Sequence, residues 1–314
     1  MAGIYIHIPF CRQACYYCNF HFSTSHKQMP QMLAAIAFEI EQRKNYLHEP
    51  VETIYFGGGT PSLLTIYDLQ FIIDKLRQNF VIEENAEITL ETNPDDIDEK
   101  KLSAWKSIGI NRLSIGIQSF ADADLRWMNR AHNSQQAIKS LQLATKYFNN
   151  ISIDLIYGSP VLTDEQWIKN IDTALSFNIP HLSCYALTVE EKTALALMIE
   201  KHKKENIDAE KQARHFKILL KRLPAAGFEQ YEISNFAKHG FRSRHNSSYW
   251  NGKNYLGIGP SAHSYNGKFR RWNIANNALY INAVKNNLIY FEEEKLTEIQ
   301  KLNEFIMTHL RTIE

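Results

Sequence analysis

An α/β fold is predicted: an open, partial (β/α)6 barrel over residues 1–225, followed by a smaller α+β extension over 226–314. Six apolar runs rich in β-branched and aromatic residues recur near 4–8, 51–56, 87–91, 112–117, 151–157 and 181–187. Segments with helical spacing lie between most of them, and strand–helix alternation implies a parallel sheet with right-handed crossovers. The units stop at six, which suits an open barrel better than a closed one of eight. Functional side chains then belong at the C-terminal ends of the strands.

The first strand, 4–8, runs into Pro9, and Cys11, Cys15 and Cys18 follow on the loop that leaves it. Thiolates packed this closely in a loop share a metal. Three sulfur ligands fit either a zinc site with an open fourth position or a cubane iron–sulfur cluster with one iron uncovered. A zinc knuckle usually brings two ligand pairs, and here there is one triplet. A disulfide framework is not expected, because the whole chain has four cysteines. Residues 29–46 carry Met29, Met32, Leu33, Ile36, Ile40 and Tyr46 on one helical stripe.

The second strand ends in Tyr55-Phe-Gly-Gly-Gly-Thr-Pro61. Such glycines make a tight turn, or let backbone approach a ligand and offer it N–H groups. They match neither the Walker nor the dinucleotide fingerprint. A helix is predicted over 65–79, with Ile66, Leu69, Ile72, Ile73 and Leu76 on its stripe. Strand three ends in Glu91-Thr-Asn-Pro94, which places a carboxylate at the barrel mouth. Helix 98–107 follows. Strand four ends in Gln118-Ser-Phe120, and Arg130 comes twelve residues after that glutamine. Helix 134–148 leads to strand five, where Asp154 interrupts an apolar run; a buried acid there needs a partner or a ligand. Helix 164–177 is capped by Thr163 or Asp164. Strand six holds Cys184, read as a small core residue.

Residues 191–222 read as one or two charged helices, and 228–235 return to strand character. The stretch from His245 to Tyr265 combines His, Asn, Tyr and Trp with the pair Gly257-Ile-Gly259. Aromatic residues beside histidine suit either a buried packing layer or a flat conjugated ligand, and histidine is a common haem ligand.

The formal charge of +1 gives no reason to expect nucleic acid as a partner. No run of 18 apolar residues exists to span a membrane, and the N-terminus lacks the pattern of an export signal. With few cysteines, this fits a cytoplasmic protein.

Taken in order, these motifs resemble the coproporphyrinogen-dehydrogenase-like branch of radical S-adenosylmethionine (SAM) proteins over essentially residues 3–314, and within it the HemW group of haem chaperones. The resemblance rests on Tyr5-x-His7-x-Pro9-Phe10-Cys11, the cysteine triplet, Gly57-Gly-Gly-Thr60, Glu91-x-Asn93-Pro94, Gly116-x-Gln118-Ser-Phe120 and Gly257-x-Gly259-x-Ser261. Where the dehydrogenase has a further cysteine after the triplet, this chain has Phe20. The H-N-x-x-Y-W signature of the chaperone group stands here as His245-Asn246-Ser-Ser-Tyr249-Trp250. The dehydrogenase also carries an extension ahead of the barrel, whereas the strand here starts at residue 3.

The resemblance implies a radical SAM barrel in which Cys11, Cys15 and Cys18 hold a [4Fe–4S] cluster and SAM chelates the fourth iron. Tyr5, Gly58, Gly59, Thr60, Glu91, Gln118, Arg130, Asp154, Ala186 and His263 occupy positions that look like SAM contacts, and haem is expected near His245. The function implied is that of a cytoplasmic haem chaperone, monomer or homodimer. It would deliver haem to a client such as a respiratory protein, including one at the membrane periphery. The alternative is oxygen-independent coproporphyrinogen III oxidase, a SAM-dependent oxidative decarboxylation to protoporphyrinogen IX. The last residues, 310–314, read as helix where the group continues with a small helical domain, so a truncated chain is expected.

Overall fold

The computed structural model describes residues 2–313. Strands β1 (Ala2–Ile8), β2 (Val51–Gly58), β3 (Ile82–Thr92), β4 (Arg112–Gln118), β5 (Ile151–Tyr157) and β6 (His181–Ala186) lie side by side in chain order, all parallel. Between them run α1 (Met29–Gln42), α2 (Ile66–Asn79), α3 (Glu99–Ser107), α4 (Asp122–Trp127), α5 (Ser134–Tyr147) and α6 (Asp164–Ser176). The helix starts follow from local chemistry. Thr65, Asn133 and Thr163 each accept from the amide three residues on, and the side chains of Asp68, Gln136 and Gln166 reach back to the capping residue's own N–H. Thr163, not Asp164, is therefore the cap of α6.

β1 separates two environments by alternation. Ile4, Ile6 and Ile8 join the core with Met32, Ile36 and Ile40 of α1. Gly3, Tyr5 and His7 occupy the other face. Each isoleucine fully withdrawn from water stabilises the fold by about 1.5–3 kcal/mol.

After β6 come two helices, α7 (Ala194–Glu200) and α8 (Ala209–Ala225). Beyond them the chain adds strands to both edges of the same sheet. The predicted strand at 228–235 is split by a turn into β7 (Glu229–Gln230) and β8 (Asn235–Ala237), and β8 lies antiparallel on β6. The H-N-x-x-Y-W run forms a helix, α9 (Arg244–Trp250). β9 (Tyr255–Ile258) then pairs in parallel with β1, and β10 (His263–Tyr265) and β11 (Phe269–Asn273) extend that edge antiparallel. Helix α10 (Asn277–Lys285), β12 (Phe291–Lys295) and α11 (Glu298–His309) complete a twelve-stranded mixed sheet with helices. No described helix is long and apolar enough to cross a membrane.

The pair Gly257-Ile-Gly259 brings backbone close to the chain itself. A Cβ on Gly257 would stand 2.0 Å from the carbonyl oxygen of His263, and one on Gly259, whose φ is +100°, 2.6 Å from that of His7. Both obstacles are backbone and cannot swing aside. Gly257→Ala is expected to cost about 2–3 kcal/mol, the upper range for overpacking. Urea unfolding of the metal-free protein measures it, and an unchanged midpoint would contradict the packing argument.

Candidate functional site

The cysteine loop is tied at its base. Cys11 N–H donates to Ser23 O (3.0 Å), and Ser23 N–H returns to Pro9 O (2.9 Å). The glycine turn after β2 clamps the same base, Gly59 N–H to Ile8 O (2.9 Å) and Thr60 N–H to Phe10 O (2.7 Å). Only glycine fits there. A Cβ on Gly59 would lie 2.6 Å from Phe10 O, and one on Gly58, at φ +103°, 2.5 Å from the His7 imidazole. The turn therefore serves first to seat the cysteine loop.

A hydrogen-bonded chain links two of the cysteines. Thr60 Oγ1 donates to Cys11 Sγ (3.5 Å), Asn93 Nδ2 donates to Thr60 Oγ1 (3.1 Å), and Arg130 Nη2 donates to Asn93 Oδ1 (2.7 Å). Arg130 Nη1 then reaches Cys15 Sγ (3.3 Å). Arg130 Nη2 is held by Gly116 O (2.8 Å), while its buried Nε has no hydrogen-bond partner among the described residues. Asn129, with φ +59°, turns the chain there, and its side chain ties back to Ala14 O (2.7 Å). A cation and a hydroxyl aimed at sulfur favour the thiolate form, which is the form that binds metal. Burial opposes this, pushing the Cys11 thiol up to about 11 and raising Cys18 as well. Metal loading must therefore displace protons. Among the described residues no group of three or more His, Cys, Asp or Glu side chains is arranged to hold a single metal ion.

Beside the cysteines opens a cavity of about 600 Å³, within the ~300–1,000 Å³ usual for small-molecule sites. Glu91 and Asp154 face it from β3 and β5. Glu91 accepts from the Tyr55 hydroxyl (2.8 Å) and the Gly58 N–H (3.2 Å). Burial pushes Glu91 up to about 7, only partly offset by those bonds, and pushes Asp154 up to about 6. Gln118 reaches the same space from a left-handed turn at φ +63°, a strained conformation for a side-chain-bearing residue and one that collects at functional sites.

The raised carboxylates have a measurable cost. The folded state keeps these protons to higher pH than the unfolded chain does, so stability falls as pH rises from ordinary carboxylate values to about 7. Glu91→Gln removes one such group. It is expected to stabilise the ligand-free protein relative to wild type by on the order of 1–3 kcal/mol at pH 8 and hardly at pH 5. Urea midpoints at the two pH values test this, and an equal difference at both would contradict it.

Of the sequence-predicted residues, Cys11, Cys15, Cys18, Gly58, Gly59, Thr60, Glu91, Gln118, Arg130, Asp154 and Ala186 line this one cavity. Three do not. Tyr5 lies behind the wall, its hydroxyl donating to His7 Nδ1 (3.0 Å). His263 is exposed on β10, stacked on Trp272 with centroids 6.3 Å apart. His245 is buried in the wall with both ring nitrogens engaged, to Thr53 Oγ1 (2.8 Å) and Tyr249 OH (2.9 Å). Haem is expected near His245, and in this structure both of its ring nitrogens are met by protein groups. Two residues with a part in the site had no assigned role in the sequence. Asn93 was in view within Glu91-x-Asn93-Pro94, and Tyr55 stood just ahead of the glycines.

Comparison with known proteins bears on the family and the fold. A model of the radical SAM superfamily matches residues 5–174. Heme chaperone HemW of Bacillus subtilis (strain 168) is 34% identical over 318 aligned positions, covering 99% of this chain and 83% of that protein. HemW of Mycobacterium tuberculosis H37Rv is 36% identical over 278 positions, 87% of this chain and 71% of that one. Among solved structures, coproporphyrinogen III oxidase (HemN) of Escherichia coli superposes with a TM-score of 0.86 over 99% of this chain and 75% of its own, at 23% identity, a likeness of fold.

Proposed function

We propose, from the premise that the chain belongs to the radical SAM superfamily and within it to the family of the HemW heme chaperones, that it binds haem and passes it to client proteins. The observation that carries this is the similarity to HemW along 99% of the chain. The superfamily implies a [4Fe–4S] cluster and SAM. Cys11, Cys15 and Cys18 are the proposed cluster ligands, and the orphaned Nε of Arg130 and the sulfur-directed Nη1 and Thr60 Oγ1 fit an electron-rich group beside them. When bound, a cluster of this kind supplies one-electron reducing power to a sulfonium ligand.

In this reading the chain's own groups orient SAM. Glu91 accepts from its ammonium, Gly58, Gly59 and Thr60 pass along its methionyl part, and Gln118, Asp154 and Ala186 line the remainder of the cavity. Haem lies outside, on the aromatic rim. Phe20, 67% exposed, and Tyr185, 42% exposed, both edge the mouth beside Phe22. An exposed phenylalanine is a poor surface residue and a good platform for a flat macrocycle. Phe20 also stands where the related dehydrogenases carry a further cysteine, which supports carriage over oxidation. The proposed client is a respiratory protein, at the membrane or near it.

Anaerobic reconstitution followed by haem titration, with and without SAM, is the test. Uptake near one haem per chain is expected, with Phe20→Ser weakening it about tenfold, the size of a lost aromatic contact. Absence of haem uptake overturns the proposal. Conversion of coproporphyrinogen III to protoporphyrinogen IX by the reduced protein would turn it to the oxidase reading.

A further inference from the structure

The H-N-x-x-Y-W run meets the cavity in two ways. Asn246 lines it, whereas His245 is 2% exposed and lies in the wall behind Tyr55. The two rings stack with centroids 4.9 Å apart and planes 24° from parallel. The Tyr55 hydroxyl donates to Glu91 Oε1 at 2.8 Å, so the imidazole sets the plane of the ring that holds the carboxylate. His245 is itself fixed on three sides. Thr53 Oγ1 meets Nδ1 at 2.8 Å, and Tyr249 OH meets Nε2 at 2.9 Å. The Tyr249 ring packs edge-on against it at 5.1 Å and against Tyr255 at 4.7 Å.

The rest of the wall keeps room for this arrangement. A Cβ on Gly3 would stand 2.8 Å from Thr53 Oγ1 and 3.3 Å from His245 Nδ1. At the start of α9, the N–H groups of Arg244 and His245 donate to the two carboxylate oxygens of Glu87, at 3.3 and 3.2 Å. The Ser243 hydroxyl caps Asn246 N–H at 3.3 Å. A histidine that serves as a haem ligand needs a nitrogen lone pair facing open space, with the other nitrogen tethered. Here both nitrogens are tethered to protein and neither faces the cavity.

We infer that His245 and Tyr249 are positioning residues for the SAM site: they hold Tyr55, and through it Glu91, in place at the cavity wall, and do not ligate haem. This rests on the reading that the cavity takes SAM. Replacing the imidazole by a ring without nitrogens leaves Thr53 Oγ1 and Tyr249 OH without that partner, so the ring behind Tyr55 is no longer fixed in orientation and the Tyr55 bond to Glu91 is weakened. Haem on the outer rim is untouched.

The test uses the full chain, anaerobically reconstituted, with SAM affinity from equilibrium dialysis and haem affinity from absorbance titration. His245→Phe is expected to weaken SAM about tenfold, and Tyr249→Phe, which removes a single hydroxyl and keeps the packing, about threefold. Tyr55→Phe should match His245→Phe, and the double variant should be no weaker than the worse single one, because both act through Glu91. A general loss of structure would give additive losses, and would lower haem affinity and iron content as well. Haem affinity is expected unchanged in all four. A fall in haem affinity of tenfold or more in His245→Phe with SAM affinity intact overturns the inference. Wild type that binds SAM while every variant binds it equally well overturns the positioning role alone. Wild type that binds no SAM overturns the reading of the cavity, and the inference with it. If His245→Phe does not fold, Tyr249→Phe and Tyr55→Phe carry the same comparison.

Discussion

Cys15→Ser protein, reconstituted under anaerobic conditions, is expected to retain less than one iron per chain, where the wild type retains about four, the content of one cubane. Serine keeps the shape and removes the thiolate, so loss of iron reports ligation and not packing. Cys15 is the most informative of the three because Arg130 Nη1 already points at its sulfur from 3.3 Å. Deleting the thiolate also leaves a buried guanidinium, anchored by Asn93 and Gly116 O, facing a poorer acceptor. Cys184→Ser is the control. That sulfur is buried in β6 among core residues, so iron content should stay at about four per chain. Iron and acid-labile sulfide analysis gives the answer. Four irons retained by Cys15→Ser would remove the cluster assignment. Zinc without sulfide in the wild type would replace it with the other site that three thiolates can build.

The triplet was legible because cysteine spacing within a single loop is local, and the fold brings Cys11, Cys15 and Cys18 to one cavity. The same holds for elements set by period: the predicted helix at 65–79 is Ile66–Asn79, and the predicted strand at 151–157 has those bounds. Contributions that depend on which strands become neighbours were not legible. Asn93 matters because β3 lies between β2 and β4, so its side chain reaches both Thr60 and Arg130. β9 has only four residues, and its parallel partner, β1, is some 250 residues earlier, so no local pattern could announce it. The glycines at 57–59 and at 257 and 259 looked alike as possible ligand approaches. What crowds each is the protein itself: Tyr5 and Tyr55 at Gly57, His7 at Gly58 and Phe10 at Gly59 in one case, His263 and His7 in the other. His245 could be read toward haem or toward packing from its aromatic company, and the placement of Thr53 and Tyr249 on its two nitrogens is not legible from local sequence.

Glu39→Ala is expected to lower stability by about 3–5 kcal/mol, the cost of removing one member of a buried charged pair. In sequence Glu39 and Arg43 look like an ordinary pair on the outer face of a helix, four residues apart. In the fold the Glu39 side chain is fully buried and accepts from four donors: Gly259 N–H (2.9 Å), Tyr280 OH (2.6 Å), Asn273 Nδ2 (2.9 Å) and Arg43 Nη1 (3.4 Å). One carboxylate thus joins α1, the residue that follows β9, the end of β11 and α10. Arg43 adds a second tie, Nη1 to Gly257 O at 3.0 Å. Alanine leaves the Arg43 charge buried without its counter-ion and strips three other donors of their acceptor. Glu39→Gln keeps one acceptor oxygen and should cost less, about 1–3 kcal/mol. Glu39→Ala combined with Arg43→Met removes the stranded charge as well, so the pair should lose less than the sum of its single variants. Urea unfolding of the metal-free proteins measures all three. A Glu39→Ala midpoint equal to wild type would mean that β9 is held to β1 by the sheet alone. The larger loss expected here follows from where β9 sits: it flanks β1, and its attachment to the rest of the fold runs through a carboxylate shared by four donors.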